Sequence, residues 1–176
     1  MRPIAIITGA SAGFGRATAI ALARNNYDVV ITGRRSEKLE KVEEEIRSKS
    51  EADVLSLSFD IRDKEAVKDA CGKLTGKWEK VDVLVNNAGL AAGMSLIHEG
   101  SVDDWEQMID TNIKGLLYIT RLITPGMVKS EKGHIINIGR LRAAPGFGRL
   151  LRLRLLPLAL VVSAVTLRMG SRTTEW

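Results

Sequence analysis

Five short apolar runs punctuate the first 139 residues of this 176-residue chain. They are Ile4-Ala5-Ile6-Ile7-Thr8, Asp28-Val29-Val30-Ile31-Thr32, Val54-Leu55-Ser56-Leu57-Ser58-Phe59, Val81-Asp82-Val83-Leu84-Val85 and His134-Ile135-Ile136-Asn137-Ile138, the last preceded by Gly133. Short length and β-branched content predict strands. Between the runs the apolar spacing becomes helical. Arg16 to Ala23 is an alanine-rich helix former, and Leu39, Val42 and Ile46 stripe a helix over Glu37 to Ile46 with Ser36 as its cap. Asp63 caps a helix carrying Ala66, Val67, Ala70 and Leu74, and a long helix starts near Ser101 and passes Ile109, Ile113, Leu116, Leu117 and Ile119. Strands apolar on both faces that alternate with helices predict an α/β fold, a parallel sheet covered on two sides. Such a sheet takes ligands at the carboxyl ends of its strands, beside the point where strand order reverses.

The residues at those strand ends carry the candidate chemistry. The first strand runs into Gly9-Ala10-Ser11-Ala12-Gly13-Phe14-Gly15 and then into a helix. Glycines suit a turn where main chain and ligand approach closely. Free N–H groups and the positive end of the helix dipole favour an anion there, a pyrophosphate above all; the competing account is a packing turn with no ligand. The second strand closes on Gly33-Arg34-Arg35, where an acid would accept the ribose hydroxyls of NAD. Two guanidiniums suit a 2′-phosphate instead and point to NADP, unless they are a solvated pair at the start of a helix. Asp60 ends the third strand as either an acceptor for an adenine amino group or a helix-initiating turn residue. Asn87-Ala88-Gly89 follows the fourth strand as either a cofactor wall or a strand-closing turn.

Composition narrows the picture. The net charge of +5 is uneven, because residues 140–176 hold seven Arg, no Lys and one acid, Glu175, for a charge of +6 that leaves −1 on the rest. Basicity therefore belongs to the tail, and no nucleic-acid partner is expected. Leu155 to Leu167 falls short of the roughly 20 apolar residues of a membrane span and contains Pro157, so no membrane partner is expected either. The single cysteine, Cys71, excludes an internal disulfide and reads as a buried, inert thiol. A first strand that begins at once, with no signal-peptide pattern, points to the cytoplasm. No metal spacing is visible, and His98 and His134 read as structural.

Taken together, Thr8-Gly9 with Gly13 and Gly15, Asn86-Asn87-Ala88-Gly89, Asn112 in the long helix and Gly133-His134-Ile135-Ile136-Asn137-Ile138 resemble the short-chain dehydrogenase/reductase family over residues 4–139. The stretches Ala12-Gly13-Phe14-Gly15, Thr32-Gly33-Arg34-Arg35, Leu90-Ala91-Ala92-Gly93-Met94 and Asp104-Trp105-Glu106-Gln107-Met108-Ile109-Asp110-Thr111-Asn112 resemble its NADP-dependent 3-hydroxy acid dehydrogenases, which act on serine and allo-threonine. The resemblance implies a Rossmann-type sheet of order 3-2-1-4-5 and hydride transfer between nicotinamide and a small hydroxy acid or carbonyl substrate. It places Gly9 to Gly15 on the pyrophosphate, Arg34 and Arg35 on the 2′-phosphate, Asp60 and Ile61 beside adenine, and Asn87 to Gly89 beside the nicotinamide ribose. By the same resemblance Asn112 is expected to hold a water of the proton relay, and a homo-oligomer is implied as for the family.

The family also uses a Ser soon after the fifth strand and a Tyr-x-x-x-Lys on the next helix. Here Arg140 follows Gly139, Tyr27 and Tyr118 have no Lys four residues on, and no Lys lies beyond Lys132. The expected division is therefore an NADP-binding Rossmann domain over 1–139, incomplete at its C-terminal end, and an Arg/Leu-rich tail over 140–176 of no recognisable domain. A non-catalytic NADP-binding module is the alternative to a working dehydrogenase. The abrupt change at Gly139 points to an out-of-frame translation of the tail, against a divergent native segment with an amphipathic helix.

Overall fold

The computed structural model describes residues 1–93, 95–139 and 167–169. The readings of the tail as out-of-frame or helical lie outside the described residues. Within them the chain alternates β1 (Ile4–Ile7), α1 (Gly13–Arg24), β2 (Asp28–Gly33), α2 (Ser36–Lys49), β3 (Val54–Ser58) and α3 (Lys64–Gly72). It continues through β4 (Val83–Asn86), α4 (Val102–Ile109), α5 (Leu116–Lys129), β5 (Gly133–Asn137) and β6 (Leu167–Met169). The sheet order is β3-β2-β1-β4-β5-β6, parallel except for β6.

Alternation along β1 splits the core into two layers. Ala5 and Ile7 join Val29, Ile31 and Val85 under α1 and α2, which contribute Ala19, Ala23, Leu39, Val42 and Ile46. Ile4 and Ile6 join Val30, Leu84 and Ile135 under α3 and α5, which contribute Val67, Ala70, Ile119, Ile123 and Met127. Burial on both faces is why the strands read as continuous apolar runs.

The structure revises several local expectations. Helix α1 begins at Gly13, three residues before the alanine-rich stretch, and Arg35 rather than Ser36 occupies the cap position of α2, with no side-chain cap bond. Asp63 does cap α3, its carboxylate accepting from the N–H groups of Glu65 and Ala66. The long helix is interrupted by a π-helical turn over Asp110–Gly115, which adds a residue between α4 and α5 and changes the facing of the residues after it. Ser101 caps α4 through Asp104 N–H, and Pro125 lies inside α5. The expected order 3-2-1-4-5 holds for the first five strands, and β6 adds to it: it pairs antiparallel with β5, Gly133 opposite Met169 and Ile135 opposite Leu167, and gives that strand's main-chain groups partners.

Candidate functional site

A cleft of about 1180 Å3 opens at the carboxyl ends of the strands, beside the switch between β1 and β4. It exceeds the roughly 300–1,000 Å3 of a pocket for a drug-sized ligand, as an extended ligand requires.

Its floor is the glycine turn. Gly9 has φ +66°, and a Cβ there would stand 2.8 Å from Ala88 Cα. A Cβ on Gly15 would meet the Asn87 side chain and the Gly9 carbonyl oxygen closer than 2.6 Å, so the third glycine serves packing of α1 against β4. Thr8 and Asn87 lock this crossing. Thr8 Oγ1 accepts from Asn87 N–H and Ala88 N–H, both at 2.9 Å, while Asn87 Nδ2 donates to the carbonyls of Thr8 and Gly9. The first turn of α1 has neither a side-chain cap at Ala12 nor an acidic residue, which leaves its N–H groups for an anion. Ser11, Ala12, Gly13 and Phe14 border the cleft, Phe14 being 81% exposed. Ala10, fully buried, and Gly15 lie behind the wall rather than on it.

Arg34 and Arg35 stand at the rim where β2 ends. Arg35 Nη2 donates to Ser11 Oγ at 3.1 Å, tying the rim to the glycine turn. Across from them Asp60 follows β3 and is gripped by Arg62, whose Nη2 lies 2.7 Å from Oδ2. The hydrogen bond from Arg62 holds the Asp60 carboxyl below the usual carboxylate range against the opposing effect of burial, with a smaller contribution from the Arg34 charge. The carboxylate is thus a turn element ahead of α3 that also borders the cleft. Ile61 is buried beside it and also borders the cleft.

The third wall is Asn87 to Leu90. Asn112, within the π turn, accepts from Leu90 N–H at 2.9 Å and donates to the Leu90 carbonyl at 2.8 Å. Asn86 and Thr111 border the cleft as well, and each buries an oxygen, Asn86 Oδ1 and Thr111 Oγ1, with no hydrogen-bond partner among the described residues. Buried polar atoms are seldom left alone, so this end of the cleft offers hydrogen-bonding capacity to a ligand or water. The structure brings together the glycine turn, Arg34, Arg35, Asp60, Ile61, Asn87, Ala88, Gly89 and Asn112 around one cavity.

Sequence reasoning missed Arg62, Thr111 and the partly buried Asn86–Thr120–Asn137 contact, in which Asn86 Nδ2 donates to Thr120 Oγ1 and Asn137 Oδ1. The strand-end position of Asn86 was the available signal; Arg62 and Thr111 give none. Tyr27 and Tyr118 pack against the two core layers and do not border the cleft. Cys71 is half-buried rather than fully buried, and that burial pushes its thiol up to about 11, in keeping with an inert side chain.

A parallel sheet with a glycine turn, an uncapped helix start and a cleft at its switch point defines a doubly wound, nucleotide-binding type of architecture. More specifically, residues 3–148 match the short chain dehydrogenase family, and the chain belongs to it. It is 47% identical over 136 residues to an NADP-dependent 3-hydroxy acid dehydrogenase of Salmonella typhi, YdfG, covering 77% of this chain and 53% of the relative. Among solved structures, serine dehydrogenase from Escherichia coli shares 44% identity at a TM-score of 0.72, over 77% of this chain and 61% of that one. The closed form of serine dehydrogenase complexed with NADP+ matches at 44% identity and a TM-score of 0.73, over 77% of this chain and 53% of that one. The chain spans about half the length of the curated relatives it matches. Among the described residues no helix is long and apolar enough to cross a membrane.

Proposed function

We propose that residues 1–139 form the NADP-binding domain of an oxidoreductase that passes a hydride between nicotinamide and a 3-hydroxy acid or a similar small alcohol or carbonyl compound. The observation that carries this reading is the pairing, on one cleft, of an uncapped helix start with two arginines at the end of β2. The residues present fit the dinucleotide. A Cβ added at Gly13 would meet nothing within 4 Å, so that edge of the turn is open for a pyrophosphate, and the rim that would otherwise need an acid for NAD carries Arg34 and Arg35. The names of the relatives, NADP-dependent and acting on 3-hydroxy acids or serine, support the same cofactor and substrate class.

Bound NADP would supply the hydride donor or acceptor at C4 of nicotinamide. The chain's own part is orientation. Helix α1 and the Gly9 to Gly13 main chain hold the pyrophosphate, Arg34 and Arg35 the 2′-phosphate, and Asp60 and Ile61 flank the adenine. The wall of Asn87, Ala88 and Gly89, braced by Thr8 and by Asn112, fixes the nicotinamide ribose. Asn112 gives one side-chain donor and one acceptor site to Leu90, which leaves it a further N–H and lone pair with which to hold a water of a proton relay. One cysteine in the chain supports a reducing, cytoplasmic setting.

A non-catalytic NADP-binding module is the second reading. What favours it is that neither Tyr27 nor Tyr118 is followed by Lys four residues on. A hydride added to a carbonyl leaves an alkoxide that needs a proton or a stabilising donor, and among the described residues bordering the cleft none is a Tyr, His or Lys. Fluorescence titration with NADPH beside an assay of NADP+ reduction by serine or allo-threonine tests both. The dehydrogenase reading expects binding and turnover, the module binding alone, and a folded chain that binds no NADPH contradicts both.

A further inference from the structure

Nothing in the sequence pattern singles out Arg62, yet it makes the densest polar contact near the cleft. Its Nε donates to both carboxylate oxygens of Asp60 at 3.1 Å, its Nη2 to Oδ2 at 2.7 Å, and its main-chain N–H to Oδ1 at 3.0 Å. Arg34 approaches the same carboxylate from the rim, its Nη1 3.9 Å from Oδ2, near enough to feel the charge but too far for a hydrogen bond. One carboxylate thus lies between two guanidiniums, and only Arg62 holds it. Asp60 and Arg34 border the cleft, whereas Arg62 stands behind Asp60.

We infer that Arg62 is a positioning residue for choosing NADPH over NADH: by occupying the Asp60 carboxylate it keeps Arg34 free for the 2′-phosphate and cancels a negative charge beside it. The inference rests on the NADP reading above. Without Arg62, Asp60 has Arg34 as its nearest guanidinium, and an Arg34–Asp60 pair would engage the donors a phosphate needs. Arg34, Arg35, Arg62 and Asp60 together carry +2, and loss of Arg62 halves that charge. Arg62 does not serve as a phosphate ligand in its own right, because its guanidinium is committed to Asp60 and lies off the cleft wall. The helix cap is separate. Asp63, not Arg62, caps α3, so the fold of that helix does not depend on the pair.

The test is fluorescence titration of the full chain with NADPH and with NADH, for the unmutated protein, Arg62→Ala, Asp60→Asn and the double variant. Adenine, both riboses and the pyrophosphate are common to the two nucleotides, so the affinity ratio isolates the 2′-phosphate. Arg62→Ala is expected to lower the NADPH preference about three- to tenfold. Asp60→Asn in that background should restore it, and Asp60→Asn alone should keep or raise it. A merely structural role for Arg62 would weaken both nucleotides alike and would not be rescued by removing a carboxylate. An unchanged ratio in Arg62→Ala, or a double variant as poor as Arg62→Ala, overturns the inference. If Arg62→Ala does not fold, Asp60→Asn still decides, because a lowered preference in that variant contradicts the proposed competition. A folded, unmutated chain with no preference for NADPH overturns the NADP reading itself, and the inference with it.

Discussion

Asn112 grips Leu90 by both of its main-chain groups, accepting from its N–H at 2.9 Å and donating to its carbonyl at 2.8 Å. The contact joins the π turn to the segment that leaves β4, and so braces the wall beside the glycine turn. Asn112→Ala breaks both bonds and leaves two partly buried main-chain groups to find water. It is expected to cost about 1–3 kcal/mol in denaturant unfolding and to weaken NADPH binding. Asn112→Asp keeps the acceptor and loses the donor, and should fall between the two. Unfolding of Asn112→Ala indistinguishable from the unmutated chain would contradict the brace.

Gly13 and Gly15 separate two demands of the turn. At Gly13, with φ +57° and open space around a Cβ, alanine should cost about 1–2 kcal/mol of stability from backbone strain. In the proposed binding mode the added methyl would also crowd the pyrophosphate. At Gly15 alanine drives its methyl into Asn87 and the Gly9 carbonyl, neither of which can yield without parting α1 from β4. Gly15→Ala should therefore be the more destabilised in thermal or denaturant unfolding, by about 3 kcal/mol or more. The reverse order would show that the helix–strand crossing tolerates a methyl group.

Asp60 gives the fold an acid-sensitive contact. Its carboxyl is held below its usual 3.8 first by the hydrogen bond from Arg62. A depressed folded-state value means that the contribution to stability is complete above the unfolded-state value and is lost as pH falls through the folded one. Stability should thus drop on acidification below about pH 4, and Asp60→Asn should shed the part of that drop due to this group. Urea unfolding at neutral pH and near pH 3 checks the sign. A steeper acid loss in Asp60→Asn would contradict it.

The sheet and most of its helices were legible because a strand buried on both faces must be apolar throughout and a covering helix must carry a stripe, as Ile4–Ile7 and Leu39, Val42 and Ile46 show. The cleft followed from topology, since glycines, Arg34 and Arg35, Asp60 and Asn87 all sit at carboxyl ends of parallel strands. What remained hidden depends on contacts between side chains or on a single inserted residue. The π turn that carries Asn112 has no periodicity of its own, so it reads as ordinary helix. Arg62 looks like any exposed arginine until Asp60 is placed beside it. Antiparallel pairing of Leu167–Met169 with β5 could not be read either, because a three-residue strand in an Arg/Leu-rich stretch carries too little pattern.

The central claim, that the cleft is built for a dinucleotide with a 2′-phosphate, is tested most directly by titrating the unmutated chain and Arg34→Ala with NADPH and with NADH. A charge-assisted contact from Arg34 is expected to make NADPH bind about ten- to a hundredfold more tightly than NADH. Arg34→Ala should remove most of that difference while leaving NADH affinity nearly unchanged. Equal affinities of the unmutated chain for the two nucleotides would contradict the account.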